Sequence, residues 1–129
     1  MVERCEINDE ASFQTALVHV RQKLKELDFT EMQSAKFLTA VSELARNILK
    51  YAGQGIIEII PQRSLQRQGL QVIAIDFGCG IADVELAMKD KFSSSGTLGQ
   101  GLPGAKRLVD EFNIETSSQG TRVKITSWT

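Results

Sequence analysis

The stretch from Thr30 to Ala52 constrains the fold more than any other part of the chain. Phe37, Leu38, Val41, Leu44, Ala45, Ile48 and Leu49 recur at three- and four-residue steps, the spacing of a helix with a core-facing side. Thr30 followed by Gln33 fits a capping box that starts this helix, and Gly53-Gln54-Gly55 ends it. Within Ser42-Glu43-Leu44-Ala45-Arg46-Asn47-Ile48, Glu43 and Asn47 are four apart, so they stand one above the other on one face. A carboxylate and an amide on a rigid element suit a site where the acid accepts a proton beside an oxygen that holds a hard cation. Taken alone, the pair reads first as solvated surface, where such residues mostly lie. Two glycine-rich loops later in the chain weigh against that reading.

A length of 129 residues predicts one domain over residues 1–129, able to bury roughly two thirds of its unfolded surface. A net charge of -1, with Lys and Arg scattered through the helices, gives no footprint for nucleic acid or an anionic membrane. No apolar run approaches the ~18 residues of a membrane span, and Met1 to Glu6 lacks the features of a secretion signal, so a cytoplasmic location is expected. Cys5 and Cys79 form neither a CxxC pair nor a zinc spacing. Cys5 reads as a small buried or half-buried side chain; Cys79, between Gly78 and Gly80, reads as structural or as a reactive thiol. His19 is the only histidine, which excludes a histidine-based metal cluster.

In chain order, Val2 to Ile7 is expected as a short edge strand and Asp9 to about Asp28 as an amphipathic helix carrying Phe13, Leu17, Val20, Leu24 and Leu27. Strands follow the central helix at Ile56–Ile60 and Leu70–Phe77, joined by a polar connection from Pro61 to Gly69. The second is apolar at nearly every position and should be central. A short helix from Asp83 to Met88, a polar stretch from Lys89 to Gly101 and a helix from Leu102 to Glu111 come next. Strands Phe112–Thr116 and Thr121–Trp128 close the chain across the turn Ser117 to Gly120. The fold class predicted is α+β: one mixed, mostly antiparallel sheet backed by helices, a two-layer sandwich.

Two loops carry further chemistry. Asp76-Phe77-Gly78-Cys79-Gly80 sets a carboxylate at the mouth of a buried strand, followed by two glycines that let the backbone approach a flat ligand. The carboxylate can accept from an exocyclic amine such as adenine N6, or it can merely cap a turn. Asp76-Phe77-Gly78 also spells the metal-binding tripeptide of eukaryotic-type protein kinases, but the chain has no His-Arg-Asp loop and no upstream glycine-rich hairpin. Ser93 to Gly104 is hydroxyl- and glycine-rich and runs into a helix, as a loop folding over phosphates would. Its Gly99-Gln100-Gly101-Leu102-Pro103-Gly104 matches GxGxxG without the preceding strand of a dinucleotide fold, and a surface loop is the bland alternative.

The order of parts, Glu-x-x-x-Asn on a helix, Asp-x-Gly-x-Gly after a central strand, then a glycine-rich lid, resembles the GHKL superfamily of ATP-binding domains, named for gyrase, heat-shock chaperones, histidine kinases and MutL. Glu43 to Asn47 resembles its N box, Asp76 to Gly80 its first glycine box, Gly99 to Gly104 its second, and Gly120-Thr121 the threonine that closes the adenine pocket. Within the superfamily the chain is similar to the anti-sigma-factor type of serine kinase, and among these to stressosome switch kinases. That similarity rests on Ser42 to Asn47, Tyr51-Ala52-Gly53, Phe92-Ser93, and Gly99 to Gly104 with Lys106-Arg107-Leu108.

The resemblance implies a Bergerat-type fold holding Mg-ATP. Asn47 would supply an oxygen to Mg2+, and Glu43 would orient or deprotonate the attacking serine hydroxyl, a role worth roughly 10²–10⁴ in rate. Arg46 would pair with substrate or phosphate, or serve a structural salt bridge. Asp76 would read adenine with support from Thr121; Gly78 and Gly80 would flank it, and Gly96, Thr97, Gly99, Gly101 and Gly104 would wrap the phosphates. Cys79 and Ala82 stand where related sequences often have proline. Implied partners are a STAS-domain regulatory protein as substrate and the regulatory domain of a PP2C-type phosphatase. The alternatives are an anti-sigma factor of the same fold and a nucleotide-gated binding module with negligible phosphoryl transfer. The absence of a histidine from the N box argues against a histidine kinase.

Overall fold

The computed structural model describes residues 2–78 and 101–129. The expected helix Asp83–Met88 and the sequence-predicted positions Cys79, Gly80, Ala82, Gly96, Thr97 and Gly99 lie outside the described residues.

Strand β1 (Glu3–Ile7) leads into helix α1 (Glu10–Glu26) and the central helix α2 (Glu31–Tyr51). A hairpin of β2 (Gly55–Ser64) and β3 (Arg67–Asp76) follows; a short helix α3 (Leu102–Arg107) then precedes the hairpin β4 (Glu111–Ser117) and β5 (Gly120–Trp128). The sheet order is β1-β2-β3-β5-β4, with every pairing antiparallel. Thus β1 is an edge strand and β3 is central, as its apolar sequence requires.

Helix α2 begins as expected. The Thr30 hydroxyl accepts from Gln33 N–H at 3.1 Å and the Gln33 side chain accepts from Thr30 N–H at 2.8 Å. It ends at Ala52 and Gly53, whose N–H groups both return to the Ile48 carbonyl; Gly53 takes φ +79°. Its buried face, Phe37, Ala40, Val41, Leu44 and Ile48, packs over Ile57, Ile59, Val72, Ala74, Val123 and Ile125 of the sheet. Burying Phe37, Leu44 and Ile48 alone contributes about 5–9 kcal/mol before the entropy of ordering is counted.

Two boundaries differ from the sequence reading. Instead of a polar connection from Pro61 to Gly69, β2 and β3 continue to a two-residue turn at Leu65 and Gln66. Pro61 lies past the last β1 pairing, Glu3 with Ile59, on an open stretch of β2 where a residue without N–H is tolerated. Helix α3 stops at Arg107 rather than continuing to Glu111. Asp110 N–H donates to the Thr126 carbonyl, and the Asp110 carboxylate accepts from Trp128 N–H at 2.8 Å, so this segment is drawn into the sheet.

Candidate functional site

The antiparallel register lines up one residue from each strand at one end of the sheet: Ile7, Gly55, Asp76, Thr121 and Thr116. Residues paired in this way present their side chains on the same face. Ile7, Asp76 and Thr121 are buried, so the row faces the helices. Helix α2 approaches it through Gly55, where an added Cβ would meet Ile48 Cγ2 at 2.8 Å and Asp76 Cβ at 3.3 Å. Ile48 follows Asn47 directly, which brings the amide's turn of α2 over the Asp76 end of β3.

Asp76 is only 5% exposed. Its Oδ1 accepts Gly78 N–H at 3.1 Å and Thr121 N–H at 3.3 Å, so one oxygen closes the turn after β3 and ties it to β5. The capping role and the ligand role considered from sequence are therefore compatible: Oδ1 is spent on backbone, and the carboxylate has a second oxygen. The Thr121 and Thr116 hydroxyls lie 2.8 Å apart across β4 and β5. Beside them is a cavity of about 300 Å³ lined by Asp76, Phe77, Thr116, Gly120 and Thr121.

Gly120 and Gly78 have backbone reasons to be glycine. Gly120 has φ +143°, and a Cβ there would collide with the Asp76 carbonyl oxygen and stand 3.1 Å from Phe77 Cα. A Cβ on Gly78 would come within 2.8 Å of Ala52 Cβ, so Gly78 lets the turn pack on the end of α2. At the other glycine box, Gly101 caps α3 with φ +76°, while Gly104 is buried inside that helix's first turn.

On α2, Glu43 is buried at 5% exposure and Asn47 is half-buried. Arg46 is exposed, with its guanidinium 5.1 Å above the Phe13 ring of α1; its structural contact is a cation–π one. Glu43, Ser42 and Arg46 line a groove of about 200 Å³ with Leu17 and Arg21 of α1.

Sequence reasoning gave Gly55 only a part in ending the central helix and gave Thr116 no role in the site, because both acquire their places in it from register. His19 sits on α1 beside Glu3, Nδ1 to Oε2 3.4 Å, in no triad among the described residues. Cys5 is half-buried; burial first, and then the charge of Glu3, push its thiol above the usual range, which suits a structural cysteine. Among the described residues no group of three or more His, Cys, Asp or Glu could hold a metal.

Residues 32–128 match the family described as "Histidine kinase-, DNA gyrase B-, and HSP90-like ATPase". The chain belongs to this ATPase family. The GHKL resemblance read from Glu43, Asn47, Asp76 and the glycine boxes is thereby established, together with the fold. Among its relatives is the serine/threonine-protein kinase RsbT of Bacillus subtilis (strain 168), 47% identical over 109 residues, 84% of this chain and 82% of that protein. An anti-sigma F factor of Caldanaerobacter subterraneus subsp. tengcongensis is 33% identical over 108 residues, 80% of this chain and 76% of that protein. Two solved structures share the ATPase fold. The RsbU and RsbW domains of Rv1364c from Mycobacterium tuberculosis align with a TM-score of 0.60 at 18% identity, covering 97% of this chain and 32% of that longer one. The SiaB–SiaC complex from Pseudomonas aeruginosa aligns at 0.56 and 10%, covering 100% and 89%.

Proposed function

We propose that this chain transfers the γ-phosphoryl group of ATP to a serine or threonine of a small STAS-domain regulatory protein in the cytoplasm, and alternates between that substrate and the regulatory domain of a PP2C-type phosphatase. The chain is a protein serine/threonine kinase of the partner-switching kind. The observation that carries the finer reading is Glu43, a carboxylate held at 5% exposure one turn before Asn47, on the helix that closes over Asp76. A switch that only bound nucleotide would need Asn47 and Asp76 but no base.

In this reading the second oxygen of Asp76 accepts from the adenine amine, and Thr121, held by Thr116, supports it. Gly78 sets the turn beside the base, and the N–H groups of Leu102 and Gly104 at the start of α3 would face the phosphates, Pro103 between them having none. For Gly80, Gly96, Thr97 and Gly99 the proposed nucleotide-binding role rests on the GHKL resemblance of the sequence alone. The amide oxygen of Asn47 fits a Mg2+ ligand, and the ion when bound neutralises phosphate charge. Glu43 takes the proton of the acceptor hydroxyl as its oxygen bonds to the γ-phosphorus; the bond to the β-phosphate oxygen breaks and ADP leaves. Arg46, exposed beside Glu43, offers its remaining N–H groups to the transferred group.

The test is intact-mass spectrometry of STAS-domain proteins from the same genome after incubation with the chain, ATP and Mg2+, with Glu43→Ala as control. A gain of one phosphate with the parent and none with Glu43→Ala is expected. Transfer by Glu43→Ala at the parental rate would refute the general-base role. ATP binding and complex formation without any transfer would favour the nucleotide-gated module. An anti-sigma activity is the second reading, favoured by the anti-sigma F factor similarity; capture of a sigma subunit by the chain would support it.

A further inference from the structure

We propose that the groove between α1 and α2 is the docking cleft for the phospho-acceptor segment, and that Arg21 holds a carboxylate flanking the acceptor hydroxyl. The assignment rests on reading Glu43 as the base that acts on a protein hydroxyl.

Glu43 sits between two openings. Towards the C-terminal end of α2, Asn47 and Ile48 approach the Asp76 row, where the nucleotide is read. Towards the N-terminal end, Leu38, Ser42 and Glu43 line the groove with Leu17 and Arg21. Phosphoryl transfer needs the attacking oxygen roughly opposite the leaving ADP. A hydroxyl reaching Glu43 from the groove therefore arrives on the side away from the adenine end. The groove's volume, about 200 Å³, is below the ~300–1,000 Å³ of small-molecule sites and suits the tip of a loop.

Charge selects the occupant. Among the described lining residues Glu43 is the sole acid, against Arg21 and Arg46, so this lining is locally basic in a chain of net charge -1. The Arg46 guanidinium lies over Phe13, which fixes its position. Arg21 is exposed and among the described residues makes no ion pair. A guanidinium beside the entry to a base fits a carboxylate through paired N–H donors, while Leu17 and Leu38 offer apolar contact for the adjoining residue. The occupant is a protein loop with an Asp or Glu close to its acceptor Ser or Thr.

The experiment uses the full chain with a STAS-domain protein found to accept phosphate, and compares the parent with Arg21→Ala and Arg21→Glu. Thermal melts of the three should coincide, because Arg21 is exposed. The expected result is a rise in KM for the protein acceptor of about tenfold in Arg21→Ala and more in Arg21→Glu, with ATP affinity and kcat held within about twofold. Replacing the acid beside the acceptor by Arg should restore the KM of Arg21→Glu. An unchanged acceptor KM in both variants would overturn the docking assignment and leave the kinase reading intact. A parent that binds ATP but phosphorylates none of the STAS-domain proteins would overturn the kinase reading, and this assignment with it.

Discussion

Asp76 gives the sharpest separation of structure from recognition. Its Oδ1 accepts two backbone N–H groups, from Gly78 at 3.1 Å and Thr121 at 3.3 Å, at a site 5% exposed. Asp76→Ala strands both donors, and each unsatisfied buried group costs about 1–3 kcal/mol. The bonds are at the long end of the range and the turn can admit water, so the lower half applies: about 2–4 kcal/mol in total. For a domain of this size that is a fall in melting temperature of roughly 6–20 °C. Asp76→Asn keeps an acceptor oxygen for both N–H groups, so its loss should stay near or below about 1 kcal/mol. With that oxygen turned to the backbone, the Asn NH2 faces the adenine amine, donor against donor. Loss of a charge-assisted bond and an unpaired contact together cost about 2–4 kcal/mol, roughly 30- to 1,000-fold in ATP affinity. Thermal melts beside ATP titration calorimetry separate the two effects. A melt for Asp76→Asn as low as that of Asp76→Ala would refute the shared-acceptor account; undiminished ATP binding in both variants would refute the adenine role.

Three other perturbations follow from the same geometry. Asn47→Ala, at a half-buried position, should leave the fold intact and weaken nucleotide binding about tenfold or more in the presence of Mg2+, with little change in its absence, as read by titration with and without the ion. Gly120→Ala brings a Cβ against the Asp76 carbonyl oxygen at φ +143° and should lower the urea midpoint by an amount corresponding to about 1–3 kcal/mol. The backbone and hydroxyl bonds of Ser12 hold the Asp9 carboxyl below the usual carboxylate range, so its capping stabilisation is present above the unfolded pKa and disappears as pH falls through the lower folded value. Asp9→Asn, which keeps the cap without the charge, should flatten that part of the acid-unfolding profile, and an unchanged profile would refute the link.

The chain makes plain what is local. Helix α2 is legible within a residue at each end because its start is a side-chain box, Thr30 with Gln33, and its end a glycine in the left-handed region. The tight β2–β3 turn is not legible, because Leu65 takes φ +49° at a position where the usual signal is Asn or Gly. The exposed Leu65 instead reads as part of a loop, and Pro61 reads as a strand end although its place on an open edge tolerates it. Helix α3 ends early for a tertiary reason, the bonds of Asp110 to Thr126 and Trp128, which no window around Arg107 contains.

The candidate site divides along the same line. Glu43 and Asn47 face one way because a helix repeats every 3.6 residues, so their pairing can be read from spacing alone. Asp76, Thr121 and Thr116 meet only because β3, β5 and β4 pair in one register. A slip of one residue in β5 would turn Thr121 to the opposite face and bring Arg122 or Gly120 beside Asp76. Gly120 resists that slip: its missing Cβ lets β5 run against the Asp76 carbonyl, and Thr121 N–H then lands on Asp76 Oδ1. Gly55 performs the corresponding task for the helix: a Cβ there would collide with the Ile75 carbonyl oxygen and crowd Ile48, the neighbour of Asn47. Glu43 and Asn47 are thus joined to Asp76 and Thr121 by two glycines that act through the room they leave, and widening either contact should change nucleotide binding or transfer without altering the side chains proposed to carry them.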